Sequence, residues 1–161
     1  MALDRKLLGI YLNDHLAGAT AGRELSKRSL GSNGGTELGE FLERLHAEIV
    51  EDRETLIALM RRVGVGVDRL KPIAAMAGER AGRLKLNGSL FGYSPLSRLV
   101  ELEALALGVQ GKLSMWVSLA QLPREGGLED FDFEALADRA RAQSDGLEQQ
   151  RLAAARLALG G

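Results

Sequence analysis

The sequence predicts an all-α fold: one bundle of four long helices, with a long crossover that contains an additional, shorter helix. Three observations carry that reading. Apolar residues recur every three or four positions between breaks, no stretch alternates with the period of two that a strand needs, and the breaks cut the chain into pieces of helical length. At 161 residues the chain is long enough to bury a sizeable core, and 1–161 is read as a single helical-bundle domain.

The first helix is expected at about 4–29, where Leu8, Leu12, His15, Ala19 and Gly22 form one stripe that continues to Leu25 or Ser26. A glycine-rich break, SLGSNGGTE at 29–37, ends it. The second helix, about 36–64, has the clearest stripe: Leu38, Leu42, Leu45, Ile49, Leu56, Leu59 and Val63, with Asp52 as its polar member. The break VGVGVD at 63–68 leads to a shorter helix at about 68–87, poorer in large apolar residues. In NGSLFGYSP, 87–95, Ser94 is placed to cap and Pro95 to open the next helix, about 95–121. Its stripe is Leu99, Leu102, Ala106, Val109, Leu113, Trp116 and Ala120. After PREGGLED at 123–130, Asp130 or Asp132 can cap the last helix, about 132–159. That helix carries Leu136, Ala140, Gln143, Leu147, Gln150, Ala154 and Leu157 and stops at Gly160.

Composition narrows the chemistry. Twenty-one Lys and Arg stand against 22 Asp and Glu, so no basic excess invites nucleic acid. The absence of cysteine removes disulfides, thiolate catalysis and Cys-ligated metal centres, and fits a reducing compartment. No apolar run approaches the ~18 residues of a membrane span. The N-terminus lacks the long apolar segment of a signal peptide, and the expected location is cytoplasmic. The glycines Gly88, Gly92 and Gly108 follow no strand, so they make no phosphate-binding loop, and no G-x-S-x-G motif is present.

Two long helices joined by a short turn, a long connection, and two more joined by a short turn make a bundle with one crossover. That order resembles the ferritin-like superfamily over nearly the whole chain. At motif level the resemblance rests on ERLH, Glu43 to His46, a Glu-x-x-His on the second long helix. It implies a di-metal site, built in that family from a Glu on each of two helices and a Glu-x-x-His on each of the other two. Glu43 and His46 are the residues that match, with Glu103 at a similar height; iron or manganese would be the metal. The last helix contains no histidine, so half of that motif is missing.

Counting 1.5 Å steps from the turns gives each polar residue a height. With the first turn centred near 32–33, His15 falls opposite 50–53 and thus near Asp52. With the second near 126, Gln110 falls opposite Gln143. All four come to one level, a polar layer across mid-bundle in which Asp52 accepts a hydrogen bond from His15. Such a layer can set the register of otherwise interchangeable leucine stripes, or supply ligands to a metal.

Two further segments stand out. The small residues Ala17 to Gly22 leave a flat surface for close helix approach, within the chain or with a second subunit. Phe91 and Tyr93 are placed to fold over the bundle's end or to cap a ligand pocket or dimer contact. The expected function is a non-catalytic binding or structural module without a cofactor. A homodimer is expected because near-neutral charge and long amphipathic helices favour self-association. The alternatives are a divergent metal-binding oxidoreductase of the ferritin-like type, drawing on His15, Asp52, Glu43, His46 and Glu103, and a carrier of a small apolar ligand held near Trp116, Met115 and Phe91.

Overall fold

The computed structural model describes residues 3–68 and 92–160. Four long helices are found there: α1 (Arg5–Asn33), α2 (Glu37–Arg62), α3 (Pro95–Ala120) and α4 (Phe133–Leu159), with one 3-10 turn at Leu128–Asp130 before α4. No strand occurs among the described residues. The helix expected at 68–87, and Phe91, lie outside them.

Local chemistry explains each boundary. Asp4 caps α1, its Oδ1 accepting from the Lys6 and Leu7 amides at 3.0 Å. The helix passes the expected stop at residue 29 and runs through Gly31, because Ser29 and Asn33 are buried and Asn33 Nδ2 bonds the Ser29 carbonyl at 2.8 Å. A sharp corner follows. Gly35 adopts φ +74°, and Thr36 Oγ1 caps α2 through the Gly39 amide at 3.0 Å. Gly39 is required there: a Cβ would lie 2.3 Å from the Asn33 carbonyl oxygen. Ser94 caps α3 through the Ser97 amide at 3.1 Å, with Pro95 next, and Asp132 caps α4 through the Ala135 amide at 3.0 Å.

α1 and α2 form one antiparallel hairpin and α3 and α4 another. The hairpins pack so that α1 lies beside α3 and α2 beside α4. At one end the α1 terminus meets the start of α3, with Arg98 Nε bonding Asn33 Oδ1 at 2.9 Å. At the other end the close of α2 meets the approach to α4 through Arg62 and Asp130. α2 and α3 therefore run the same way. Asp68, whose amide bonds Asn13 Oδ1 at 2.7 Å, lies near the far end from Tyr93, which bonds Asn33.

Two apolar clusters fill the interior. One, toward the start of α1, gathers Leu12, Leu56, Leu59, Met60, Trp116, Leu119, Leu128 and Phe133. The other, toward the start of α2, gathers Leu42, Leu45, Ile49, Leu99, Leu102, Val109 and Leu147. Polar side chains separate them.

Candidate functional site

The separating layer is built by three helices. On α2, Asp52 takes the stripe position between Ile49 and Leu56, and Glu48 lies one turn before it. On α4, Arg139 and Gln143 are also one turn apart, so the antiparallel helices bring pair against pair. α3 contributes Lys112, three residues after Val109 and four before Trp116.

Lys112 Nζ donates to Asp52 Oδ2 and to Gln143 Oε1. Arg139 Nη2 donates to Asp52 Oδ1, while its Nη1 reaches Glu51 Oε2 at 2.8 Å. Gln143 Nε2 donates to Glu48 Oε2 at 2.7 Å and to Asp52 Oδ2 at 3.3 Å. Asp52 is 3 % exposed and Gln143 4 %. Burial pushes the Lys112 ammonium below the ordinary lysine range; Asp52 opposes that shift and Arg139 adds to it. Carboxylate and amide oxygens thus converge on cationic donors. The amide of Gln143 turns its oxygen to the ammonium and its nitrogen to the carboxylates.

Of the four residues expected in a mid-bundle layer, Asp52 and Gln143 meet. His15 and Gln110 lie elsewhere, and Lys112, Arg139 and Glu48 take their places. Gln110 is exposed. It precedes Lys112 by two residues, about 200° around the helix, so when Lys112 faces inward Gln110 faces out. His15 is half-buried and stands edge-on to Tyr11, ring centroids 4.6 Å apart. Burial lowers its pKa, and neighbouring Asp14 partly offsets this. Ser26 faces His46 and Thr20 faces Arg53, so the first corner centres near residue 36 rather than 32–33. His15 accordingly stands opposite about residues 57–58, more than one helical turn from Asp52.

The residues carried over from the ferritin-like resemblance do not converge. Glu43 is exposed, His46 Nδ1 pairs with Ser26 Oγ at 2.8 Å, and Glu103 pairs with Arg151 of α4 at 3.6 Å. α2 and α3 stand across the bundle's diagonal, which separates Glu43 and His46 from Glu103. Among the described residues no three His, Asp or Glu side chains form a metal-ligand group. This donor set does not fit a di-metal centre. Met115 and Trp116, expected to line an apolar cavity, are packed in the core, with Trp116 stacked on Phe133 at 6.1 Å. A depression of about 310 Å³ opens instead near the start of α1, lined by Arg5, Lys6, Asn13 and Asp68 among others.

A second polar cluster joins α1 to α3 at the opposite end. Glu101, 4 % exposed, accepts from Arg28 Nε at 3.0 Å and from the Tyr93 hydroxyl at 3.1 Å. Tyr93 in turn accepts from Asn33 Nδ2 at 2.9 Å and lies under the Arg98 guanidinium. Burial raises the Tyr93 pKa, with the Asn33 hydrogen bond opposing. These bonds clamp the entry of α3 onto the end of α1.

Compared with known proteins, the sequence matches no protein-family model, no curated protein and no solved structure. Among the described residues no helix is long and apolar enough to cross a membrane.

Proposed function

We propose that this chain is a binding and assembly module that works as a homodimer, with the outer face of α3 as its contact surface. The carrying observation is the absence of charge there. From Ala104 to Gln121 the one charged residue is Lys112, and it is turned inward onto Asp52 and Gln143. Leu107 is 67 % exposed on this face, and Gly108, Gln110, Ser114, Val117 and Ser118 are exposed around it. A methyl group added at Gly108 or Gly111 would meet nothing within 4 Å, so neither glycine is required by packing among the described residues. Mid-helix glycine costs about 1 kcal/mol against alanine and is repaid where another backbone comes close.

A second copy is the occupant that suits such a face. An uncharged surface is matched by an uncharged surface, and a two-fold axis presents the same patch from both sides. The face runs about 27 Å along the helix, and α1 packs beside that helix. α2 and α4 offer no comparable surface; Glu43, Glu54, Asp138 and Arg141 stand exposed on them. The helix order, with one crossover between two hairpins, supports kinship to the ferritin-like superfamily as a divergent member whose mid-bundle residues serve the fold. A cytoplasmic location fits the cysteine-free composition.

Because the chain has no cysteine, a single introduced thiol reports this contact. Gly111→Cys and Ser114→Cys should each give disulfide-linked dimer on mild oxidation, and Glu54→Cys on the charged face of α2 should not. Equal cross-linking at all three positions, or none at the α3 positions, would contradict the proposal.

A further inference from the structure

We propose that the middle of the bundle is a cation site filled from within: Asp52, Gln143 and Glu48 form an oxygen-lined receptor, and the Lys112 ammonium is its resident. Lys112 Nζ donates to two oxygens from different helices, Asp52 Oδ2 on α2 and Gln143 Oε1 on α4. Gln143 is buried and held in the orientation a cation needs, because its Nε2 is committed to Glu48 and Asp52. Rotating the amide would set its N–H groups against the ammonium and its oxygen against two carboxylates. The glutamine therefore selects for positive charge at this point, and a neutral side chain would not meet the same demand.

The ligand class follows from the donors. The receptor offers one carboxylate oxygen and one amide oxygen to the cation, with a second carboxylate behind them, too few hard anionic ligands for a divalent metal. It suits a primary ammonium, which brings N–H donors of its own. Lys112 reaches it along a side chain that is 14 % exposed, so truncating that chain opens a channel of the width of an alkyl chain.

Lys112→Ala removes the resident and leaves the receptor. Thermal unfolding of this variant should show a lowered Tm that n-propylammonium, which replaces the lost Cγ to Nζ, raises by about 2–4 °C at tens of millimolar. Methylammonium should raise it less, since it cannot refill the space of the lost side chain. Tetramethylammonium, which has no N–H, should leave it unchanged at equal ionic strength. Lys112→Ala combined with Asp52→Asn removes the carboxylate that contacts the ammonium, and its Tm should not respond to any of the three. If Lys112→Ala does not fold alone, recovery of the helical circular dichroism on adding n-propylammonium reads the same event. A Tm equal to that of the natural chain would overturn the proposal. So would equal rescue by tetramethylammonium, or no response to n-propylammonium in either assay.

Discussion

Asp52 accepts from Lys112, Arg139 and Gln143 at once, so its removal takes a carboxylate from two cations, leaving Lys112 with the Gln143 amide oxygen and Arg139 with Glu51. Breaking a buried ion pair from one side costs about 3–5 kcal/mol, whereas replacing the pair with apolar groups of like volume is often neutral. Asp52→Leu should fall in that range by chemical denaturation. Asp52→Leu with Lys112→Met should cost clearly less than the sum of the single changes. His15→Leu with Asp52→Leu should be additive, because Tyr11 and not Asp52 faces the imidazole. His15 also has a pH signature. Its native pKa lies below the unfolded value of about 6.5, so as pH falls through that value the unfolded chain takes up a proton that the native fold resists. Stability should drop from pH 7.5 toward 5.5 less steeply in His15→Gln than in the natural chain; equal slopes would show that burial does not disfavour the imidazolium. Asp52 and Gln143 were legible in the sequence as polar residues on apolar stripes. Lys112 was legible too, as the lone charge in an uncharged stretch. Its inward direction is not legible, because the α3 stripe runs through Leu113, one position beyond it, and lysine is by default an outside residue.

Within single helices, glycines separate into two kinds by what a Cβ would meet. At Gly146 it would lie 2.6 Å from the Phe41 ring, where α2 packs on α4. Gly146→Ala should cost about 1–3 kcal/mol through overpacking. At Gly18, a Cβ meets nothing within 4 Å, and Gly18→Ala should stabilise α1 by about 1 kcal/mol through helix propensity. Denaturant midpoints of the two variants test the pair, and movement in the same direction would contradict the packing described. Element boundaries were readable where caps carry them, as at Ser94–Pro95 and Asp132. The end of α1 was not, because glycine was read as a stop while the buried bond from Asn33 to Ser29 carries the helix past Gly31.

Two hairpins meeting across α1–α3 and α2–α4 make a bundle whose interior charges are matched within the chain and whose neutral side faces outward. The all-α class and the order of the helices followed from the periodicity and the breaks, since those are one-dimensional properties. Heights in the second hairpin followed from counting residues, since Lys112 meets Gln143, whereas the first corner centres near residue 36 and shifts His15 along the bundle away from Asp52. Direction around each helix did not, because an error of one residue turns a side chain by 100° and decides whether it meets the core. Gln110 turns outward for that reason, and Glu43 and His46 are parted from Glu103 because α2 and α3 stand across the diagonal.

Sedimentation equilibrium of the natural chain beside Leu107→Glu tests assembly through α3 most directly. The natural chain should sediment as twice its 17.3 kDa mass. Leu107→Glu should return the single-chain mass with an unchanged monomer fold, because a carboxylate would then face its symmetry mate across an apolar contact. A natural chain that stays at the single-chain mass at every concentration, or a dimer that survives Leu107→Glu, would contradict the account. If that substitution instead unfolds a monomer, the neutral face of α3 is covered from within the chain.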